Sequence, residues 1–430
     1  AWERKEDALP LAEVSAYLPA GRVTRDWQRA SVPLDRLPGR LRRGELASLV
    51  FDVPSPQTGQ VYLRDLALTS AREVELPPPS APPRVARRLR RALWVWETAR
   101  IAADPAATQN LLDHCRAERV SDVFLQIPYR ARHEGERWII DWDPARLASL
   151  VERLHQIGAR VEALDGDPHL AEAAQHGRIL ATVRELVAYN RRAPRLQRFD
   201  GVRYDNEFYL VRGFVRSRSR ELRAYLTLLR EVRQLAASGG LSLGADIPFW
   251  FDSRNAFQEL GAELDGRPVS EHLIDILDNL SIMDYRTEAY GPDGVVAHAL
   301  DELTYAARRG KSVLIGLETV DLPDETQQEF ASGSGVDPVL ISLAQPGSID
   351  IAWFVGPAGE RARAEMRAAG GFLALGRVKS IEVPSSKLTF ARLGRAALRQ
   401  VMDQAELELS PLPSFGGFAL HSYESYRWLR

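Results

Sequence analysis

Acidic side chains crowd one short stretch of the chain, Phe199-Asp200-Gly201-Val202-Arg203-Tyr204-Asp205-Asn206-Glu207. Side chains alternate along a strand, so Arg203, Asp205 and Glu207 share one face and Tyr204 and Asn206 take the other. Two carboxylates two residues apart on an inward face are costly unless they are used or paired. The chemistry they suit is proton transfer, with Glu207 as the acid and Asp205 as the neighbour that orients it or tunes its pKa. A plainer alternative is a strand end whose acids cap the next helix. A second acid, Glu318 in Gly316-Leu317-Glu318-Thr319, closes an apolar run with no basic neighbour in sequence. Splitting a glycosidic bond needs one carboxyl to protonate the leaving oxygen and a second to attack or to activate water. Glu207 and Glu318 are the expected catalytic pair, with Glu318 as nucleophile; for Glu318 the alternative is a structural salt bridge.

Those groups need a frame that brings them face to face. Eight apolar runs read as strands: Leu93–Glu97, Val123–Ile127, Arg160–Leu164, Gly201–Asp205, Leu241–Ile247, Leu280–Met283, Val313–Glu318 and Gly416–His421. Helical spacing appears between them, as at Leu147, Leu150, Val151, Leu154 and Ile157, and again at Leu222, Tyr225, Leu226, Leu229 and Val232. Eight strands alternating with helices over residues 84–430 predict an α/β fold, a (β/α)8 TIM barrel. A doubly wound open sheet is the rival, but no Gly-rich phosphate fingerprint follows the first strand. After the seventh strand an insertion over about 321–389 separates it from a helix near Phe390–Leu407. It contains β-like runs at Pro338–Leu343, Ile349–Val355 and Lys379–Val383 and a helical one at Arg361–Ala369. In a barrel a βα loop of that length would stand on the catalytic face, as a lid or a subsite wall; the alternative is a tolerated surface insertion.

Barrel enzymes place reacting groups at the C-terminal strand ends. Reading those ends in order brings together Trp96 and Glu97, Gln126 and Tyr129, Asp165, Asp167 and His169, then Asp205, Asn206 and Glu207. Asp246, Pro248 and Trp250 follow, then Asp284, Tyr285 and Arg286, then Glu318, and finally His421, Tyr423 and Glu424. Carboxylates interleaved with aromatic rings suit a sugar, since acids move protons and rings stack on pyranose faces. Trp96, Glu97, Asp165, Asn206, Trp250, Asp284, Tyr285, His421 and Tyr423 are therefore the expected substrate-binding set. The partner is a polysaccharide or oligosaccharide. No cofactor and no metal are expected, because Asp165-Gly166-Asp167 with His169 reads better as a turn than as a metal site. Ser-His-Asp catalysis lacks a Gly-x-Ser-x-Gly elbow.

Asp200-Gly201-Val202-Arg203-Tyr204-Asp205-Asn206-Glu207 resembles the fourth-strand signature of family 18 glycoside hydrolases, Asp-Gly-x-Asp-x-Asp-x-Glu, and Met283-Asp284-Tyr285 resembles that family's sixth-strand Met-x-Tyr. The resemblance implies Glu207 as acid, with Asp205 supporting the substrate's N-acetyl group as internal nucleophile. The chain departs from the pattern at Arg203, where an aspartate is expected. A second resemblance, to clan A retaining glycosidases, rests on Asn206-Glu207 ending strand four and Glu318 ending strand seven; it implies Asn206 on the sugar 2-hydroxyl. Regular alternation would keep Asn206 and Glu207 from both facing inward.

Residues 1–83 differ. Short alternating runs at Trp27–Leu34, Leu46–Val53 and Gln60–Leu68, separated by turn-rich pieces, predict a β-rich accessory region. Two of these runs resemble the closing strands of galactose-binding-like jelly rolls, the sandwich of many carbohydrate-binding modules. Pro77–Pro83, with five prolines, reads as a stiff linker. A net charge of -2 supplies no field for nucleic acid, and no run of apolar residues is long enough to span a membrane. Cys115, the single cysteine, excludes an internal disulfide framework and reads as a small core residue. Lacking an initiator Met and a signal peptide, the chain is expected to be a trimmed product, secreted or periplasmic. Two other functions fit the same residues. One is a non-catalytic carbohydrate-binding barrel for polysaccharide export or adhesion, with Arg203 locking the acids; the other is a metal-dependent hydrolase built on Asp165, Asp167 and His169.

Overall fold

The computed structural model describes residue 18 and residues 89–135, 137–210, 214–252, 263–291, 293–332, 336–342, 350–353 and 372–430. The chain divides into two units, Ala1–Ser80 and Ala81–Arg430. The accessory region expected over residues 1–83, residue 18 apart, and the helix expected over Arg361–Ala369 fall outside the described residues.

The second unit is a closed barrel. Its strands are β1 (Arg90–Val95), β2 (Asp122–Gln126), β3 (Arg160–Asp165), β4 (Gly201–Tyr204), β5 (Ser242–Pro248), β6 (Asn279–Met283), β7 (Ser312–Glu318) and β8 (Phe415–His421). All eight coincide, within a few residues at each end, with the runs read from the sequence. They pair in parallel around the ring, with β1 closing onto β8. Helices such as Ala145–Gln156, Phe214–Ser238 and Val295–Arg309 alternate with them. The outward residues of the strands, among them Leu93, Val123, Val161 and Leu243, bury against Leu111, Leu150, Leu229 and Leu303 of the helices. Each such side chain contributes roughly 1.5–3 kcal/mol, and that shell closes the ring. Cys115 lies buried in it as expected. Closure also needs Gly417. Its φ is +115°, and a Cβ there would stand 2.0 Å from the Arg90 carbonyl oxygen of the neighbouring strand.

Two additions decorate the C-terminal mouth. A hairpin, Arg130–Glu134 with Arg137–Asp141, follows β2 and was not evident from the sequence. After β7 comes a four-stranded antiparallel sheet in the order Glu325–Ser332, Phe372–Val383, Val336–Ser342, Asp350–Trp353. Among the described residues no helix is long and apolar enough to cross a membrane.

The barrel interior is partly apolar, with Ala92, Trp94, Phe124, Leu164, Leu314 and Ala419 packed together. Beside them sits a charged cluster. Arg203 is fully buried on the inward face of β4. Its Nε donates to Glu162 of β3 at 2.8 Å, and one Nη donates to Asp246 of β5 and to the Ser281 hydroxyl of β6 at 3.0 Å. The other Nη donates to the Asn279 side-chain oxygen. Asn279 in turn donates to Glu162 at 3.0 Å, and the Trp94 indole donates to Asp246 at 3.0 Å. The guanidinium plane lies 3.7 Å from the centre of the Phe124 ring. Every charged oxygen and most donors are satisfied, which is the condition for holding charge in so dry a place.

Removing one member of this cluster strands the others. Arg203→Leu is expected to lower folding stability by about 3–5 kcal/mol, because two buried carboxylates lose their counter-charge. Adding Glu162→Gln and Asp246→Asn should recover much of the loss. Urea denaturation midpoints of the three proteins check this.

Candidate active site

The site begins where β4 leaves the barrel. Its register with β5 pairs Arg203 with Gly244 and Tyr204 with Ala245, so Asp205 falls next to Asp246 on the inward face. Like charges at neighbouring positions repel, and both are buried. The Asp205 carboxyl is accordingly pushed well above the usual carboxylate range, first by burial and then by the fields of Asp246 and Glu207; His421 and Arg203 pull it back less. Asp246 is also raised, by burial, although Arg203, Trp94 and Ser281 all favour its charged form. Arg203 compensates Asp246 directly, and of the two carboxyls Asp205 is the one shifted further above the usual range.

Glu207 follows on the same face, half-buried, and accepts a 2.7 Å hydrogen bond from the Tyr209 hydroxyl. Burial and Glu207 itself raise the Tyr209 phenol, so it remains a donor. Tyr209 is fixed in turn by an edge contact with Trp250, ring centres 5.1 Å apart. Tyr285 completes this side. It stands beyond β6 on the face of Ser281 and Met283, and its hydroxyl is raised by burial and by the fields of Glu318, Asp205, Asp246 and Glu207. One phenol thus lies within the field of all four acids at the mouth.

The opposite wall is built from β7, β8 and β1. Glu318 ends β7 as expected but is only 3 % exposed. One of its oxygens accepts from the backbone N–H groups of Thr319 and Val320, both at 2.7 Å, and the other meets His421 Nδ1 at 2.9 Å. The second imidazole nitrogen, Nε2, lies 2.9 Å from the Trp96 indole nitrogen. His421 also stacks on Tyr285, with ring centres 6.1 Å apart and planes 30° apart. Trp96 leans over β3, where a Cβ on Gly166 would come within 2.8 Å of its ring.

The remaining expected residues divide by strand parity. Asn206 is buried with outward parity, on the side of Tyr225 in the helix Phe214–Ser238, rather than on the inward face where the clan A resemblance expects it. Asp284 also turns out of the barrel, to His298 Nδ1 at 2.9 Å. Asp165 is engaged by the Tyr129 hydroxyl at 2.6 Å behind β3. Glu97 forms a surface ion pair with Arg100 one helical turn away. Tyr423 is buried beside His114, ring centres 5.4 Å apart. Trp250 reaches the site through Tyr209 rather than as a free stacking face. Asn206, Asp284 and Asp165 share one cause, since their strand parity turns them to the helical layer; Tyr423 and Trp250 lie in helical turns past their strands, and Glu97 is exposed on the surface.

The proposed metal cluster separates in the same way. Asp167 pairs with Arg178 at 3.1 Å and caps the turn at His169, while His169 pairs with Glu172 at 3.1 Å. Among the described residues no three His, Cys, Asp or Glu side chains gather as a metal-holding group. Trp94, Glu162 and Tyr209 also shape the site. Trp94 and Glu162 follow from inward parity on β1 and β3, and Tyr209 lies two residues beyond Glu207; the sequence carries those spacings but not the contacts.

No protein-family model matches this chain, and no curated protein matches it in sequence. Solved structures similar to it include a chitinase from Chromobacterium violaceum ATCC 12472, 13% identical, with a TM-score of 0.41 over 79% of this chain and 97% of that one. A class V chitinase from Pseudomonas fluorescens Pf-5 is 15% identical, with a TM-score of 0.42 over 79% and 98%. The Bacillus megaterium QM B1551 spore cortex-lytic enzyme SleL is 12% identical, with a TM-score of 0.40 over 79% and 72%. The barrel itself stands on the strand pairing described above.

Keeping Asp205 neutral makes stability fall as pH rises. Its folded-state pKa lies above the ordinary 3.8, so between those values the folded chain holds a proton that the unfolded chain has released. Asp205→Asn abolishes that penalty. The variant is expected to show a higher urea midpoint than the parent at pH 8, with a smaller difference at pH 5.

Proposed function

We propose that this chain hydrolyses a glycosidic bond in a polysaccharide or oligosaccharide, with Glu207 as the general acid. The reading is carried by register and parity: Asp205 follows β4 beside Asp246 of β5, Glu207 follows on the same face, and Tyr285 follows β6 on the face of Ser281, all at the C-terminal end of the barrel. Glu207 is partly accessible and steered by Tyr209. It donates a proton to the leaving oxygen as the bond to the anomeric carbon breaks, and takes one back from water in the second step. A protonated Asp205 is itself a hydrogen-bond donor. Together with Tyr285 it can hold and orient a neutral acceptor on the sugar.

Two sources of the nucleophile fit this frame. In the first, the sugar carries an N-acetyl group whose oxygen attacks the anomeric carbon, and Asp205 and Tyr285 position it. The arrangement at Glu318 favours this version, because that carboxylate is almost inaccessible and already accepts from two amides and faces His421. In the second, Glu318 attacks as a carboxylate, as its place at the end of β7 suggests.

Glu207→Gln is expected to reduce kcat on a cleavable aryl glycoside at least ~10²-fold, the usual scale for general acid catalysis, while leaving the urea midpoint unchanged. Undiminished turnover would remove the proposal. Glu318→Gln separates the two versions. A carboxylate nucleophile predicts loss comparable to that of Glu207→Gln, with recovery on adding azide. The N-acetyl route predicts a smaller loss, no azide effect, and hydrolysis confined to N-acetylated substrates. Binding to glycans with no turnover on any of them would instead favour a lectin-like barrel.

A further inference from the structure

His421 touches three different strands' worth of site: Glu318 of β7 through Nδ1, the Trp96 indole beyond β1 through Nε2, and the Tyr285 ring beyond β6 by stacking. The proton positions on its ring follow from its partners. An indole nitrogen can only donate, so Nε2 must accept and carry no hydrogen. Nδ1 then bears the proton and donates it to Glu318, 2.9 Å from one oxygen and 3.1 Å from the other, which is also pinned by the two amides of Thr319 and Val320. Every atom of the series is therefore assigned: backbone amides fix Glu318, Glu318 fixes the tautomer and plane of His421, and His421 fixes the edge of Trp96.

We infer that Glu318, His421 and Trp96 form a positioning relay in which neutral His421 holds the Trp96 indole and the Tyr285 ring as the two aromatic walls that receive the sugar. The relay rests on the hydrolase reading for its purpose but not for its existence. None of the three needs to touch the reacting atoms. What they set is the angle of a stacking surface, which a pyranose ring meets through its apolar face.

A second proton on the ring breaks the relay. The imidazolium would present an N–H at Nε2 to the indole N–H, and the two donors repel. Groups facing the ring from every adjoining strand bear on that proton: Glu318 from β7, Asp205 from β4, Asp246 from β5, Tyr285 beyond β6, and the Trp94 ring 5.7 Å away on β1. Burial favours the neutral ring, but the bond to Glu318 and the charge of that carboxylate, with the further pull of Asp246, outweigh it, so His421 is raised above its ordinary 6.5. The relay assembles as pH rises through that value and comes apart below it.

Indole-labelled protein followed by 1H–15N correlation from pH 5 to 9 tests this without any substrate. The Trp96 resonance is identified by its absence in Trp96→Phe. It is expected to sit at a hydrogen-bonded, downfield position at high pH and to lose that shift on acidification. The midpoint should fall in Glu318→Gln, which removes the anion, and the resonance should stop titrating in His421→Gln. A Trp96 resonance that does not respond to pH, or responds identically in His421→Gln, overturns the relay whether or not the protein cleaves sugars. On an active enzyme, Trp96→Phe should raise KM about tenfold, ~1.4 kcal/mol of lost binding, with kcat little changed, and should remove the acid limb from KM. Loss of kcat with unchanged KM would place Trp96 in the chemical step and reject a positioning role. Failure of turnover in the parent protein, with the titration intact, would reject only the hydrolase reading.

Discussion

A guanidinium buried in the middle of a barrel is the constraint around which this molecule is arranged. Arg203 has no access to water, and an unpaired charge there would be intolerable. It therefore dictates what its neighbours are: Glu162 on β3, Asp246 on β5, Asn279 and Ser281 on β6. Four consecutive strands are tied by one side chain. Cation–π contact with Phe124 extends the tie to a fifth. Hydrophobic packing closes the ring from outside, while this cluster fixes how the strands register from inside.

The same cluster sets the electrostatics of the mouth. Arg203 keeps Asp246 compensated, and burial with the field of Asp246 pushes the Asp205 carboxyl well above the usual range. Raising the Asp205 carboxyl beside a compensated Asp246 favours a hydrogen-bond donor next to Glu207 over a third negative charge. An aspartate at 203, which the family 18 resemblance leads one to expect, would make the same strand carry three acids. The arginine instead moves the partner carboxylate onto the neighbouring strand. Its role is thus different from a lock on Asp205 and Glu207: it points below them and leaves Glu207 free to meet Tyr209.

The two walls of the site are supported differently. Glu207 depends on a short aromatic buttress, Tyr209 against Trp250, in the turns after β4 and β5. Glu318 depends on backbone amides and on His421, so it is rigid and nearly closed to solvent. A carboxyl that must exchange protons with a substrate is served by the first kind of support. A carboxyl that must orient a ring is served by the second. Under the proposed hydrolase reading, this asymmetry favours Glu207 as the acid over Glu318 as the nucleophile.

Periodicity made much of this legible in advance. Eight apolar runs separated by helical spacing specify eight strands, because burial on the outer face of each strand has to be written as hydrophobic residues. Parity along Arg203, Asp205 and Glu207 likewise told which side chains enter the barrel, since alternation is a property of the local backbone. It could equally have assigned Asn206 and Asp284 to the helical layer, where Tyr225 and His298 receive them. Contacts between strands were a different matter. That Arg203 meets Glu162 and Asp246, that Asp205 lies beside Asp246, and that His421 joins Glu318 to Trp96 all depend on residues 41 to 325 positions apart being brought together. Ring closure and register decide those meetings, and neither is encoded in any one segment.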